Sequence, residues 1–151
     1  MSKYVIGIDP DSDAHGVAIY KDGKLTEPKS MPLMQLMTYT QNINEQIEFG
    51  EWIEFHIEDV CANNAAFAKK GVKNARASTA INRSLGKCQQ AQIELERMIE
   101  HMLGSDLITK HKISKAWKDA NGKKQFQKVT GWTSRSNEDT RSAAYFGWLG
   151  L

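Results

Sequence analysis

The sequence is short of cysteine, proline and uninterrupted apolar stretches. Its 151 residues include three prolines and two cysteines, Cys61 and Cys88. Two cysteines without a second pair supply neither a structural zinc site nor a disulfide framework, so a reduced environment is expected. The longest apolar runs span a few residues, which predicts no transmembrane helix and no membrane partner. The start of the chain has no secretory signal pattern, and we therefore expect a cytoplasmic protein.

Length and composition are typical of one folded domain. Hydrophobic residues make up 40% of the chain and charged residues 25%, an ordinary globular composition. A chain of this size buries about 70% of the surface that its unfolded form exposes, which is enough for a substantial core. We therefore expect one domain over residues 1–151.

Charge is distributed unevenly behind a net charge of +2. Residues 1–68 hold four basic and eleven acidic side chains, whereas residues 69–135 hold fifteen basic and five acidic ones. This asymmetry predicts an acidic half that collects cations and a basic half that contacts a polyanion. The alternative is that the lysines are scattered over a solvated surface.

Hydrophobic periodicity predicts alternating strands and helices. The predicted strands are Tyr4–Asp9, Gly16–Tyr20, Lys24–Glu27, Ile53–Ile57 and Leu107–Thr109. The predicted helices run from Leu33 towards Gly50, over residues 78–103, briefly from Ser114 to Trp117, and onwards from a capping box at Ser136–Asp139. Residues 61–75 are predicted to be a loop, and no helix or strand is assigned to the Lys-, Gly- and Gln-rich residues 120–131. This order predicts an α/β fold with a mixed five-stranded sheet flanked by helices.

Three acidic residues, far apart in the sequence, lie at the ends of predicted elements. Asp9 ends the first strand, where α/β folds place ligands, and the alternative is a turn aspartate before Pro10. Glu58 closes the fourth strand, and the alternative is a solvated polar face. Asp139 opens the last helix, where an acid also suits the unpaired N–H groups. Glu138 could replace or assist it.

Carboxylate oxygens in such a cluster suit Mg²⁺ or Mn²⁺. Two such ions about 3.5–4 Å apart can activate a water and stabilise the leaving oxygen in phosphodiester hydrolysis. Because uncompensated carboxylates repel each other, the cluster requires either metal ions or a raised pKa. We therefore predict a catalytic metal site with two ions at Asp9, Glu58 and Asp139.

Several short motifs follow one another along the chain. They are Ile6-Gly-Ile-Asp-Pro10, Ile57-Glu-Asp59, Leu85-Gly86, Ile113-Ser-Lys-Ala-Trp-Lys118 and Glu138-Asp139. In this order and spacing the chain resembles the RuvC-like Holliday-junction resolvases of the ribonuclease H-like superfamily, and its compact length is similar to a bacteriophage type. The resemblance implies a homodimeric, metal-dependent endonuclease that binds four-way DNA junctions and nicks two opposed strands.

The resemblance also assigns roles to single residues. Asp9 and Glu58 match the first two catalytic acids of the family. The family commonly has two acidic or histidine positions one turn apart on the last helix, and here only Asp139 of the Ser136/Asp139 or Asp139/Ser142 pair is acidic. Glu138 is the candidate for the remaining ligand.

Basic residues in two segments are predicted to contact DNA phosphates without reading bases. Candidate DNA-binding residues are Lys69, Lys70, Lys73, Lys115, Lys118, Lys123 and Lys124. Phe67 is placed to stack at a junction centre, with core packing as the alternative. His56, His111, Trp117 and Trp132 are expected to be structural, although a histidine near the metals could act as a base.

Two other function classes stay open. The protein could be a junction- or nucleic-acid-binding module that does not cleave, which the single acid on the last helix favours. It could also be a nuclease for another branched or RNA-containing substrate, because a fold does not fix its substrate.

Overall fold

The computed structural model describes residues 3–62 and 75–151, and within them five strands form one mixed sheet. The strands are β1 (Lys3–Asp9), β2 (His15–Lys21), β3 (Lys24–Met31), β4 (Trp52–Glu58) and β5 (Ile108–His111). Their order across the sheet is β3-β2-β1-β4-β5. β2 is antiparallel to β1 and β3, whereas β4 is parallel to β1 and β5. The predicted mixed five-stranded sheet is confirmed, and the ends of β1 and β4 lie side by side.

Helices cover both faces of the sheet. They are α1 (Leu33–Gln46), α2 (Ala75–Leu103), α3 (Ala120–Thr130) and α4 (Glu138–Leu149). Ile6 and Ile8 of β1 pack with α1 and the second half of α2, whereas Val5 packs with α3 and α4. Successive strand residues point to opposite faces, so Gly7 and Asp9 share the α4 face with Val5.

Two glycines let α4 lie directly on the sheet. A Cβ atom at Gly7 would overlap the carbonyl oxygen of Ala143, and one at Gly16 would overlap that of Asp139. Gly16 is also the β2 residue that pairs with Asp9. The first turn of α4 is therefore held beside the end of β1.

The N-cap of the last helix lies one residue later than predicted. Asn137, not Ser136, is the N-cap: its side chain accepts a hydrogen bond from the Thr140 backbone N–H (2.8 Å). The Thr140 hydroxyl in turn accepts one from the Asn137 backbone N–H (2.9 Å). The predicted capping box at Ser136–Asp139 was wrong, because Asn137 and Thr140 form this reciprocal pair instead.

The chain between β5 and α4 also differs from the prediction. Residues 120–130 form α3, capped by the Asp119 side chain and anchored by the buried Phe126. The brief helix predicted from Ser114 to Trp117 is absent, and residues 116–118 form a turn instead. Trp117 is buried against Phe126 and Tyr145, which confirms its packing role. No helix within residues 3–62 and 75–151 has the length and apolarity to cross a membrane.

Candidate active site

Asp9 and Glu58 lie next to each other at the carboxyl ends of two adjacent parallel strands. The β1–β4 register pairs Ile8 with Ile57, so Asp9 and Glu58 are the next residues of their strands. Strand alternation places both side chains on the α4 face. Their exposed fractions are 6% and 4%. The alternative of a solvated polar face on β4 is therefore wrong, because α4 covers that face.

The pKa of Glu58 is set by burial and by its position beside Asp9. Burial, followed by the negative charge of Asp9 and a hydrogen bond to it, raises the pKa of Glu58 to about 8. The Lys118 ammonium and a hydrogen bond from the Ser114 backbone oppose this rise. Asp9 Oδ2 is buried and has no hydrogen-bond partner within the described residues. Burial beside Asp9 therefore favours the protonated form of Glu58, and Asp9 Oδ2 has no hydrogen bond within the described residues.

Asp139 joins this pair from the first turn of α4. Burial raises the pKa of its half-buried carboxyl, and the negative charge of Asp9 raises it further, against the opposing charge of Lys118. Asp139 does not cap the helix, because Asn137 does. The structure thus brings the three predicted acids into one electrostatically coupled group. Glu138 is exposed, and its charge contributes only weakly to the rise at Asp139.

Lys118 is the cation of this group. Its Nζ lies 3.3 Å from Asp9 Oδ2, an ion-pair distance. Burial alone would lower the pKa of Lys118, but the charges of Asp9, Glu58 and Asp139 raise it, so the ammonium stays charged. Sequence reasoning placed this lysine among the phosphate contacts and missed its position beside the acids. Its place at the end of the Ile113–Lys118 motif was the available signal.

A buried arginine on α4, which sequence reasoning also missed, holds the Lys118 backbone. Arg141 is 7% exposed and donates from Nε to the Trp117 carbonyl (2.9 Å) and from Nη2 to the Lys118 carbonyl (2.7 Å). Trp117 has a φ of 65°, a left-handed conformation that is uncommon outside glycine. The sequence signal was that Arg141 lies three residues before Ala144, on the apolar side of α4. A guanidinium buried on that side needs hydrogen-bond acceptors within the protein.

A polar groove of about 370 Å³ lies between the β1–β2 loop and α2. Arg83, Lys87 and Cys88 of α2 line one side, and Asp11 lies on the other. Burial raises the pKa of Cys88, and the charges of Asp11, Asp9 and Asp139 add to this rise, so the groove lies within the field of the acids. Arg83 and Lys87 are exposed cations that sequence reasoning did not select.

The other predicted DNA contacts fall into two sets. Lys115, Lys123 and Lys124 are exposed, the latter two on α3. The remaining candidates, Phe67, Lys69, Lys70 and Lys73, lie outside the described residues.

The two histidines near the sheet serve packing. His56 Nδ1 and His111 Nε2 are 2.8 Å apart, and His56 Nε2 lies 3.2 Å from a Glu54 oxygen. His111 also stacks on Phe146 of α4. Within the described residues the two rings therefore contact each other, His56 also contacts Glu54, and both interactions fit the predicted structural role.

The coupled acids do not by themselves form a ready-made metal cage. Across the part of the chain that the structure describes, no three histidine, cysteine, aspartate or glutamate side chains are grouped so that they could hold a metal ion. No protein-family model, no curated protein and no solved structure matches the chain. The site is defined by its own chemistry: buried carboxylates and one lysine where two parallel strands end beside a helix.

Proposed function

We propose that the protein is a metal-dependent, structure-selective endonuclease of ribonuclease H-like fold, which resolves four-way DNA junctions and related branched DNA by paired phosphodiester hydrolysis. The convergence of Asp9, Glu58 and Asp139 carries this proposal. These acids come from two parallel strands and one helix, yet each acts electrostatically on another. A five-stranded mixed sheet with helices on both faces is also what the resemblance to RuvC-like resolvases implies.

The side-chain chemistry of the three acids suits Mg²⁺ or Mn²⁺, although within the described residues the acids are not grouped as a ready-made metal cage. All three side chains offer carboxylate oxygens, which hard divalent cations prefer, and Asp9 Oδ2 is a buried oxygen that lacks a hydrogen bond. Asp9, Glu58 and Asp139 would hold the ions, proposed to be two per site, with Glu138 as the candidate for an additional ligand. Such ions supply an activated water and stabilise the leaving oxygen of a phosphodiester.

The chain's own residues explain how a DNA strand would reach the acids. Arg83 and Lys87 line the groove between the β1–β2 loop and α2, and the exposed Lys115, Lys123 and Lys124 lie on either side of Lys118 in the sequence. Lysine and arginine neutralise phosphates and position the backbone without reading its sequence. The groove would therefore orient a phosphodiester while the acids and their ions carry out hydrolysis.

A homodimer completes the proposal. The first half of α2 contributes no buried residue, and its apolar side chains Ile81 and Leu85 are only partly covered. A two-fold dimer would present two equivalent acid groups to two opposed strands of a junction. The exposed half of α2 supports a face for a second copy of the chain.

One observation favours a second candidate, a junction-binding module that does not cleave. Lys118 already neutralises Asp9, and α4 adds one half-buried acid to the group instead of two. In this candidate the basic groove binds DNA, and the acids hold no metal ions.

A cleavage panel separates these functions. Purified protein is incubated with four-way, three-way, flap, linear and RNA-containing DNA, with Mg²⁺ or with EDTA. We expect Mg²⁺-dependent paired nicks in the four-way junction. Cleavage confined to RNA-containing DNA would indicate a different ribonuclease H-like nuclease, and tight junction binding without nicks would favour the binding module.

A further inference from the structure

One lysine, Lys118, interacts electrostatically with all three acids of the site. Among the ion pairs formed within residues 3–62 and 75–151, only that of Lys118 involves Asp9, Glu58 or Asp139. The Lys118 side chain is 29% exposed, so its ammonium is partly withdrawn from water where it meets Asp9. Lys118 Nζ and Asp9 Oδ2 form an ion pair at 3.3 Å, and Asp9 Oδ2 has no other polar partner within the described residues.

The position of Lys118 is built into the fold. Arg141 fixes the carbonyls of Trp117 and Lys118 with two hydrogen bonds, and Ser136 accepts a third from its Nη1 (3.3 Å). Arg141 lies on α4 two residues after Asp139, so the helix that supplies an acid also holds the turn that supplies the lysine. The backbone that carries Lys118 is therefore held in place by Arg141, which keeps the ammonium close to the acids.

We propose that the Lys118 ammonium occupies the cation position of Asp9 and is displaced when a divalent ion binds, so that Lys118 sets the affinity of the site for metal. This inference rests on the metal-binding role proposed above for the acids. Two cations on one carboxylate oxygen repel each other strongly where water is partly excluded. The flexible four-carbon side chain lets the ammonium leave while the backbone stays in place.

Mn²⁺ titration of the full chain without DNA tests the competition. Calorimetry and the electron paramagnetic resonance signal of unbound Mn²⁺ both report affinity without requiring catalysis. Lys118→Met should bind Mn²⁺ about tenfold more tightly than wild type, because the partly exposed competing charge is gone. Lys115→Met is the matched control, since Lys115 is exposed in the same segment, and it should bind as wild type does. Asp9→Asn should lose the site in either background.

The two proposals fail in different ways. If wild type and Lys118→Met bind Mn²⁺ equally and Asp9→Asn does not, the competition is overturned while the metal site stands. If neither protein binds Mn²⁺ better than Asp9→Asn does, the proposed metal-dependent function falls as well.

A second measurement uses wild-type protein and does not depend on how a variant folds. An amine-reactive label should modify Lys118 several-fold faster when Mg²⁺ is present, because the ion releases the ammonium from Asp9. Lys115 should react at the same rate with and without Mg²⁺. Labelling of Lys118 that is unchanged or slower with Mg²⁺, under conditions where Mn²⁺ titration shows binding, would overturn the inference.

Discussion

Replacing Glu58 with glutamine should change how the stability of the metal-free protein depends on pH. Burial and the charge of Asp9 raise the pKa of Glu58 from 4.5 to about 8, so the folded state keeps a proton that the unfolded chain releases. For a group whose folded pKa is raised, the contribution to stability is complete below the unfolded pKa. It is then lost as the pH rises through the folded pKa, here between 4.5 and about 8.

The size of the effect follows from this interval. At about 1.4 kcal/mol per pH unit, the rise from 4.5 to about 8 sets a ceiling of about 5 kcal/mol. Because Glu58 interacts strongly with the neighbouring charge of Asp9, only part of this ceiling belongs to Glu58 alone, and we expect a measured effect of about 2–4 kcal/mol. Glu58→Gln has no proton to lose at this position. As the pH rises from 4.5 to about 8, its free energy of unfolding should therefore increase relative to that of wild type by about 2–4 kcal/mol.

Urea unfolding in EDTA between about pH 5 and about pH 8 measures this difference. His15 and His111, whose pKa values burial lowers, change stability in the opposite direction with pH, but they are present in both proteins and cancel. Glu45→Gln, at an exposed position on α1, is the matched control and should follow wild type. Parallel curves for Glu58→Gln and wild type would refute the reasoning, because they would mean that Glu58 ionises alike in the folded and unfolded states.

Three further predictions concern the support of the site and its basic surface. Gly16→Ala should destabilise the protein by about 1–3 kcal/mol in urea unfolding, because the added methyl meets the Asp139 backbone; an unchanged midpoint would contradict the close packing. Arg141→Met should cost about 2–5 kcal/mol by leaving two carbonyls without donors, and Arg141→Lys should recover part of this loss; equal losses would argue against the hydrogen bonds. The double variant Lys123→Ala/Lys124→Ala should bind junctions with a slope of log K against log salt reduced by roughly 0.9 per lost contact. Lys24→Ala at the start of β3 is the control for this pair, and an unchanged slope would mean that Lys123 and Lys124 do not contact DNA.

The sequence was most informative where local pattern and chain direction agree. Ile6 and Ile8 mark a buried strand, and Ile53–Ile57 mark another, so the acids that end them could be predicted to lie at strand ends. Asp139 could be predicted to lie at the start of a helix, because the residues that begin a helix are adjacent in the sequence. The N-cap is Asn137 and not Ser136, because the Thr140 hydroxyl forms the reciprocal hydrogen bond with Asn137.

What the sequence did not predict depends on contacts between distant segments. Lys118 reaches Asp9 only because Trp117 adopts a positive φ and Arg141, more than twenty residues away, binds both carbonyls. No periodicity encodes such a turn. Helix α3 was not predicted because its sequence is mostly polar and has one large apolar residue, Phe126. Phe126 is buried only through contacts with distant parts of the chain.

The nicking of a four-way junction by wild type and by Asp9→Asn tests the central claim most directly. Both proteins are assayed with Mg²⁺ at matched junction occupancy, measured by gel shift, with Asp106→Asn as an exposed acidic control. We expect paired nicks from wild type and Asp106→Asn, and none from Asp9→Asn, which should bind the junction at least as well because one carboxylate near the phosphates is gone. Wild-type nicking by Asp9→Asn, or no nicking by wild type at full occupancy, would contradict the assignment of the acids as the catalytic metal site.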